Sequence, residues 1–363
     1  MPNLVLEIGN DFQVEPHKYV KRDTAFPVND MVTYSRLWKT GRFVDPERTF
    51  NFMHPRQMRD LPKDKAVDVW VVRDCGLGDL LLLSPVLRKF QEKWKPHRIN
   101  LLTNAPYVPL FSGRPFVHST QDWMARHGYH QWVIDLVGYS ERAEDRRLRH
   151  RLDVFAAYLD VDFESWGKSE EGNAEYKPEF DITAKESAWA WRELEVNGVS
   201  QKDVRIGLQL RGNTKVRTWP REHCKKFTEL CGKEGWKAVI FDHEAKLGWE
   251  DENTANFCGK LTIRQVAALI DKCDVMVTPD SGLMHVAGAL ETPTVGLFGT
   301  IPPELRIKYY RNSVALTGLD ACITNHGKAC FDMANCWVNN DVKVACMESI
   351  KPERVIEEVK KFL

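Results

Sequence analysis

The segment VDVWVVRDCGLGDLLLLSPVLRKF, residues 67–90, decides how the rest of the chain is read. Its first six residues, VDVWVV, form a nearly continuous apolar run. A parallel strand buried on both faces needs such a run, whereas a half-exposed strand would alternate. The turn Cys75-Gly76-Leu77-Gly78-Asp79 follows, where glycine lets the backbone bend tightly and approach a ligand closely. LLLLSPVLRKFQEKW (80–94) then reads as a helix with apolar residues on most sides. Strand, glycine turn and helix in that order are the opening unit of a doubly wound α/β fold. The turn lacks the third glycine of GxGxxG and no clean acidic residue ends the next strand, which disfavours a dinucleotide oxidoreductase.

Working outward, RINLLT (98–103) and QWVIDLV (131–137) read as further strands, and 144–159 and 185–196 as helices, with a polar Gly- and Pro-containing connection at 164–180. A second half opens at VRIGLQL (204–210). It continues with helix 221–234, strand KAVIF (237–241), helix LTIRQVAALIDKC (261–273) and strand VMV (275–277). Ile263, Val266, Ala267 and Ile270 fall at amphipathic spacing in the helix at 261–273. Leu283, Val286, Ala287 and Leu290 repeat that spacing; TVGLF (294–298) is the last clear strand and 352–363 a terminal helix. The expectation is an α/β protein of two doubly wound, Rossmann-like domains facing a cleft. Residues 66–200 form the first domain, 201–363 the second, and 1–65 an extension that is rich in charge, aromatics and proline. LWKTGRFV (37–44) reads there as a hairpin around Thr40-Gly41.

Lys plus Arg equals Asp plus Glu at 51 each, so net charge gives no case for nucleic acid as a partner. No run reaches the roughly 20 apolar residues of a membrane span. The start MPNLVLEIGNDFQVEP meets Glu7 and Asp11 too early for a signal peptide, which predicts a cytoplasmic protein. The odd count of nine Cys fits reduced thiols. RRLRHR (146–151) reads as a solvated helix face and is the candidate patch for an anionic acceptor or for peripheral contact with the inner membrane. Asp160-Val161-Asp162 reads as a helix-terminal turn.

Chemistry concentrates at the ends of the strands. Asp79 stands where a carboxylate either caps the following helix or serves as a general base, and Gly78 beside it permits close backbone approach. In LRGNTKVRTWP (210–220), Asn213, Thr214, Lys215 and Arg217 can donate to phosphate oxygens, or form an ordinary basic loop. In TPDSGLMHVAGAL (278–290), Ser281 and Gly282 stand at a helix N-terminus, an anion site or a simple cap, and Asp280 can accept from sugar hydroxyls. His285 reads as a satisfied helix histidine. FGT (298–300) brings Thr300 to another strand end, where doubly wound sheets line their ligand crevice. Cys322, Cys330, Cys336 and Cys346 are spaced C-x7-C-x5-C-x9-C, open either as packing thiols, a disulfide or a structural zinc or iron site.

Together these turns resemble glycosyltransferase family nine, the heptosyltransferase-like enzymes of lipopolysaccharide assembly. The resemblance runs through VVRDCGLGDLLLLSPVLRKF, IGLQLRGNTKVRTWP, FCGKLTIRQVAALIDKCDVMVTPDSGLMHVAGAL, TVGLFGT and the Cys-containing tail. It implies a GT-B fold with an acceptor-side and a donor-side domain. It implies inverting transfer from a nucleotide sugar, typically ADP-heptose, to a glycan, glycolipid or protein acceptor, with no cofactor needed for catalysis. By that resemblance Asp79 is the base, Arg217 stands in the place of a diphosphate-binding lysine with Lys215 sharing the task, and Asp280 contacts the sugar. Ser281 and Gly282 bind phosphate, Leu261 covers the adenine and Glu244 reaches the ribose. Some relatives glycosylate proteins and carry a Cys-bound iron in the tail. The alternative of another class is a nucleotide-sugar-binding scaffold without activity.

Overall fold

The computed structural model describes residues 3–6, 12–15, 18–20, 25–27, 43–44, 50–122, 130–137, 148–161, 178–243, 247–259, 261–318, 336 and 344–363. They fall into two compact units, residues 1–75 with 87–143 and residues 76–86 with 144–363. This division differs from the one expected. Residues 144–200 group with the second unit, and the glycine turn with the first half of its helix does too.

The first unit carries a five-stranded parallel sheet in the order Phe50–Phe52, His130–Asp135, Asp68–Val72, Arg98–Thr103, Thr120–Asp122. Val69, Val71, Ile99, Leu101 and Val133 have no exposed surface, as the apolar run at 67–72 requires. The fully buried Arg73 donates from Nη1 to the Leu136 carbonyl at 2.7 Å, tying two strand ends together. The segment expected as an extension contributes the edge strand Phe50–Phe52 to this sheet. Its other described strands pair antiparallel: Asn3–Leu6 with Ala25–Pro27 and Phe43–Val44, and Phe12–Glu15 with Lys18–Val20. The hairpin expected at 37–44 lies outside the described residues up to 42.

The second unit carries a six-stranded parallel sheet in the order Thr254–Asn256, Lys237–Phe241, Arg205–Gln209, Val275–Pro279, Thr294–Phe298, Ser313–Thr317. Numbered along the chain, this is 3-2-1-4-5-6, and the direction of winding reverses between Arg205–Gln209 and Val275–Pro279. Ligands of such sheets bind at that reversal, outside the C-terminal ends of the strands. Two edge strands, Thr254–Asn256 and Ser313–Thr317, escaped the sequence reading. They are only partly buried, so nothing imposes on them the continuous apolar run that marks the inner strands. Ile206, Leu208, Ile240, Val275, Val277 and Val295 pack with Trp219 and Phe227 and with Val355 and Val359 of helix Pro352–Lys360. Each buried side chain of this kind contributes about 1.5–3 kcal/mol, several times a helix-propensity preference. Packing therefore fixes where the helices lie. No helix among the described residues is long and apolar enough to cross a membrane.

Helix Ala184–Val196 opens with a capping box: Thr183 Oγ1 accepts from the Glu186 N–H, and Glu186 accepts from the Thr183 N–H. Glu186 also takes two donors from Arg264 of helix Ile263–Ile270. Those Arg264 hydrogen bonds, with Thr183 adding to them, hold the Glu186 carboxyl down to about 2 against an ordinary value of 4.5. Its contribution to stability is complete above pH 4.5 and is lost as pH falls toward 2. Glu186→Gln should therefore lower the melting temperature at pH 6–7, and the gap to the wild type should narrow steadily between pH 4.5 and pH 3 in thermal scans.

Candidate functional site at the strand reversal

Gln209 ends one of the two strands at the reversal and binds the end of the other. Its Oε1 accepts from Thr278 Oγ1 at 2.8 Å and from Ser281 Oγ, while its Nε2 donates to the Arg211 carbonyl. The turn Pro279-Asp280-Ser281 is thereby locked. Ser281 caps helix Gly282–Leu290, its Oγ accepting from the Leu283 N–H at 3.2 Å. Asp280 is 5% exposed and faces two arginines. Arg306 Nε donates to Oδ1 at 3.2 Å, and Arg217 Nη1 lies 3.3 Å from Oδ2 without hydrogen-bond geometry. Burial pulls the Asp280 carboxyl upward, but the charges of Arg306 and Arg217 outweigh it and leave the pKa below the ordinary value. Asp280 is ionised at neutral pH.

The glycine turn belongs to the same unit. A Cβ on Gly282 would stand 3.2 Å from Leu77 Cβ, and one on Gly78 would stand 2.4 Å from His285 Cδ2. Glycine is required at 78 because the His285 ring occupies the space of a side chain. Asp79 is the third residue of helix Leu77–Lys93 and lies inside its first turn, so it is not the cap that one reading of the sequence allowed. Its carboxylate forms an ion pair with Arg151.

His285 is buried at the centre of this group, with Nδ1 2.5 Å from the Tyr310 hydroxyl. Burial, helped by the charges of Arg306 and Arg151 and opposed by Asp280 and Asp79, pushes it down to about 4. It is neutral at pH 7. It is the satisfied histidine expected, and it feels the charge of both carboxylates. His150 caps helix Arg151–Tyr158: Nδ1 accepts from the Leu152 N–H, so Nε2 carries the proton that goes to the Arg306 carbonyl at 3.1 Å. Burial pushes His150 down to about 3.

Arg151 thus pairs with Asp79, while Arg306 and Arg217 face Asp280, and His285 and His150 are both neutral. Four polar atoms of this unit's strand-end turns are buried without a hydrogen-bond partner: Thr214 Oγ1, Arg217 Nε, Asp280 Oδ2 and Thr300 Oγ1. Such atoms cost about 1–3 kcal/mol each when left unpaired. Asn213 and Lys215 are exposed on the turn that carries Arg217.

Residues 100–333 match the model of glycosyltransferase family 9 (heptosyltransferase). The chain belongs to this family. Lipopolysaccharide heptosyltransferase 2 of Salmonella typhimurium is 36% identical over 100 residues, 24% of this chain and 29% of that protein, so the match spans less than a third of the relative's length. The glycosyl transferase family 9 protein of Veillonella parvula aligns over 81% of this chain and 96% of its own, at 20% identity and TM-score 0.61. The iron-containing dodecameric glycosyltransferase TibC of enterotoxigenic E. coli H10407 aligns over 82% of this chain and 76% of its own, at 16% identity and TM-score 0.62. TibC has also been solved in complex with ADP-D-beta-D-heptose. The shared architecture is GT-B.

Of the residues the sequence singled out, the structure sets Arg217 against Asp280, next to the Ser281 cap, and packs Gly78 on His285 and Gly282 on Leu77; Asp79, Thr214 and Thr300 belong to the same unit of this family-9 chain. Leu261 is half-buried just ahead of the Thr262 cap of helix Ile263–Ile270. Glu244, Cys322 and Cys330 lie outside the described residues, as do Asp162 and residues 146–147 of the basic run. Cys346 is packed in the apolar core and Cys336 is half-buried. Among the described residues, no three or more His, Cys, Asp or Glu side chains are grouped to hold a metal. Arg151, Arg306, Tyr310 and His150 were not foreseen. Arg151 was read as part of a solvated basic face, and nothing around Arg306 marks a motif.

The two glycines of the turn separate a fold requirement from a site requirement. Gly76 has no atom within 4 Å of an added Cβ, so Gly76→Ala should leave stability within about 0.5 kcal/mol of the wild type. Gly78→Ala drives a methyl group into a ring already held by Tyr310 and should destabilise by about 1–3 kcal/mol. Thermal melting of the two variants checks the contrast.

Proposed function

We propose that the chain is an inverting glycosyltransferase that moves a heptose from ADP-heptose to an acceptor hydroxyl of the lipopolysaccharide core or a related glycan. The observation that carries this reading is the meeting, at the sheet's reversal, of Arg217, Asp280 and the start of helix Gly282–Leu290, with Arg217 Nε and Asp280 Oδ2 buried and unpartnered. The ADP-linked donor is supported by family membership and by the ADP-heptose complex of TibC.

The chemistry follows from charge. As the acceptor hydroxyl attacks the anomeric carbon it loses a proton, and the bond from that carbon to the diphosphate oxygen breaks on the opposite face. Asp79 takes the proton in this reading. Its carboxylate is paired with Arg151 and must turn one oxygen toward the acceptor. The leaving diphosphate gains charge, which Arg217, Lys215 and the free N–H groups at the helix start meet. Preorganised arginines supply the stabilisation that a divalent cation supplies elsewhere, so we propose that the transfer needs no metal.

The test is a calorimetric titration of the purified chain with ADP, UDP, GDP and CMP. ADP should bind selectively, and Arg217→Ala should weaken it tenfold or more. Asp79→Ala should keep ADP affinity within about threefold while turnover with ADP-heptose falls by 10²–10⁴, the usual worth of a positioned base. Preference for UDP or GDP would overturn the heptose donor. Binding of ADP without turnover on any acceptor would favour the inactive scaffold, and near-full turnover in Asp79→Ala would remove Asp79 as the base.

A further inference from the structure

Asp280 has two oxygens in different circumstances, and the difference is built by Arg306, which lies outside every sequence motif. Oδ1 is engaged by Arg306 Nε at 3.2 Å. Oδ2 is buried, carries no hydrogen bond and has only the charge of Arg217 beside it. Arg306 is 4% exposed and is itself held in three ways. Its Nη1 donates to the Leu305 carbonyl at 3.0 Å. Its own carbonyl accepts from His150, which is 2% exposed and fixed at its other nitrogen by the Leu152 N–H. The segment that follows Arg306 is tied to the same helix start, since Asp153 accepts from the Tyr309 hydroxyl and from Lys308 Nζ at 3.3 Å. The His150 and Tyr309 rings meet edge to face at 4.8 Å. A residue anchored at so many points is a fixed strut.

We propose that Arg306, locked in place by His150, is a positioning residue for donor specificity: it occupies Oδ1 of Asp280 and so leaves Oδ2 as the acceptor for a hydroxyl of the donor's sugar. The inference rests on the reading of the site as a nucleotide-sugar site and adds the residues that make it sugar-selective. When the diphosphate arrives, Arg217 has a stronger partner and turns from Oδ2 to the phosphates. Arg306 cannot follow, because its backbone and its guanidinium are both committed. Oδ2 is then a buried, ionised acceptor in need of a donor, and a sugar hydroxyl supplies it. A ligand with the same diphosphate but no sugar leaves that acceptor unpaired.

The experiment compares ADP with ADP-heptose on the full chain by calorimetry. In the wild type, ADP-heptose should bind more tightly than ADP. In Arg306→Gln that preference should fall at least fivefold while the affinity for ADP stays within twofold. Arg306→Lys, which keeps the charge but loses the guanidinium geometry, should behave in the same direction. His150→Asn keeps a good helix cap but not the bond to the Arg306 carbonyl, and should lose part of the preference without losing ADP. A residue that merely supports the fold would weaken both ligands together. Equal weakening of ADP and ADP-heptose, or an unchanged preference in a folded Arg306 variant, overturns the proposal. A thermal double-mutant cycle of Arg306→Gln with Asp280→Asn, done without ligand, decides separately whether Arg306 holds Asp280; additive effects in that cycle overturn the proposal as well. A wild type that binds neither ligand overturns the nucleotide-sugar reading itself, and that result is distinct from a wild type that binds both with no preference to lose.

Discussion

A carboxylate taken out of water at the end of a fully buried strand organises the second unit. Asp280 follows Val275–Pro279, all five residues of which are buried. An isolated charge in that position would cost several kcal/mol, and pairing recovers the cost only if partners are held in place. Arg306 and Arg217 are those partners, and much of the surrounding structure exists to hold them. His150 fixes the backbone of Arg306, and Gly212 lies so close to Arg217 that an added Cβ would come within 2.8 Å of its Cβ. Removal of one member of such a set leaves an uncompensated buried charge, which is far more damaging than the loss of a surface ion pair.

The same constraint explains the placement of His285. Its neutral imidazole adds no charge to the buried group, and Tyr310 keeps it from turning. Tyr310 in turn needs Gly288, because a Cβ there would stand 2.7 Å from its ring. Glycines at 78 and 288 thus flank one histidine, from the turn on one side and through Tyr310 on the other.

The inner strands and the strand-end turns were legible in the sequence because they repeat one physical pattern. A strand buried on both faces must be apolar, and the turn after it must be small or polar, so VDVWVV, VRIGLQL and TVGLF announce themselves. The helix start at 282 was legible for the same reason, from Asp280-Ser281-Gly282. The edge strands at 254–256 and 313–317 were not, since partial burial imposes no apolar run. The grouping of residues 144–200 with the second unit was not legible, because the capping box of Thr183 and Glu186 signals a helix while its partner Arg264 lies 78 residues away. Arg151 and Arg306 were hidden for a similar reason. A buried arginine is defined by its carboxylate partner, and Asp79 and Asp280 are distant in sequence from both. RRLRHR looked like a solvated face until the fold set Arg151 on Asp79 and His150 on the Arg306 carbonyl.

The central claim is that a nucleoside diphosphate is seated at the reversal of the second sheet. A crystal structure of the chain grown with ADP tests it most directly. The account predicts the diphosphate within hydrogen-bond distance of Arg217 and the backbone N–H groups at Ser281 and Gly282, with Arg217 drawn away from Asp280 and Arg306 unmoved. Density for ADP elsewhere on the chain, with Arg217 still beside Asp280, would contradict it.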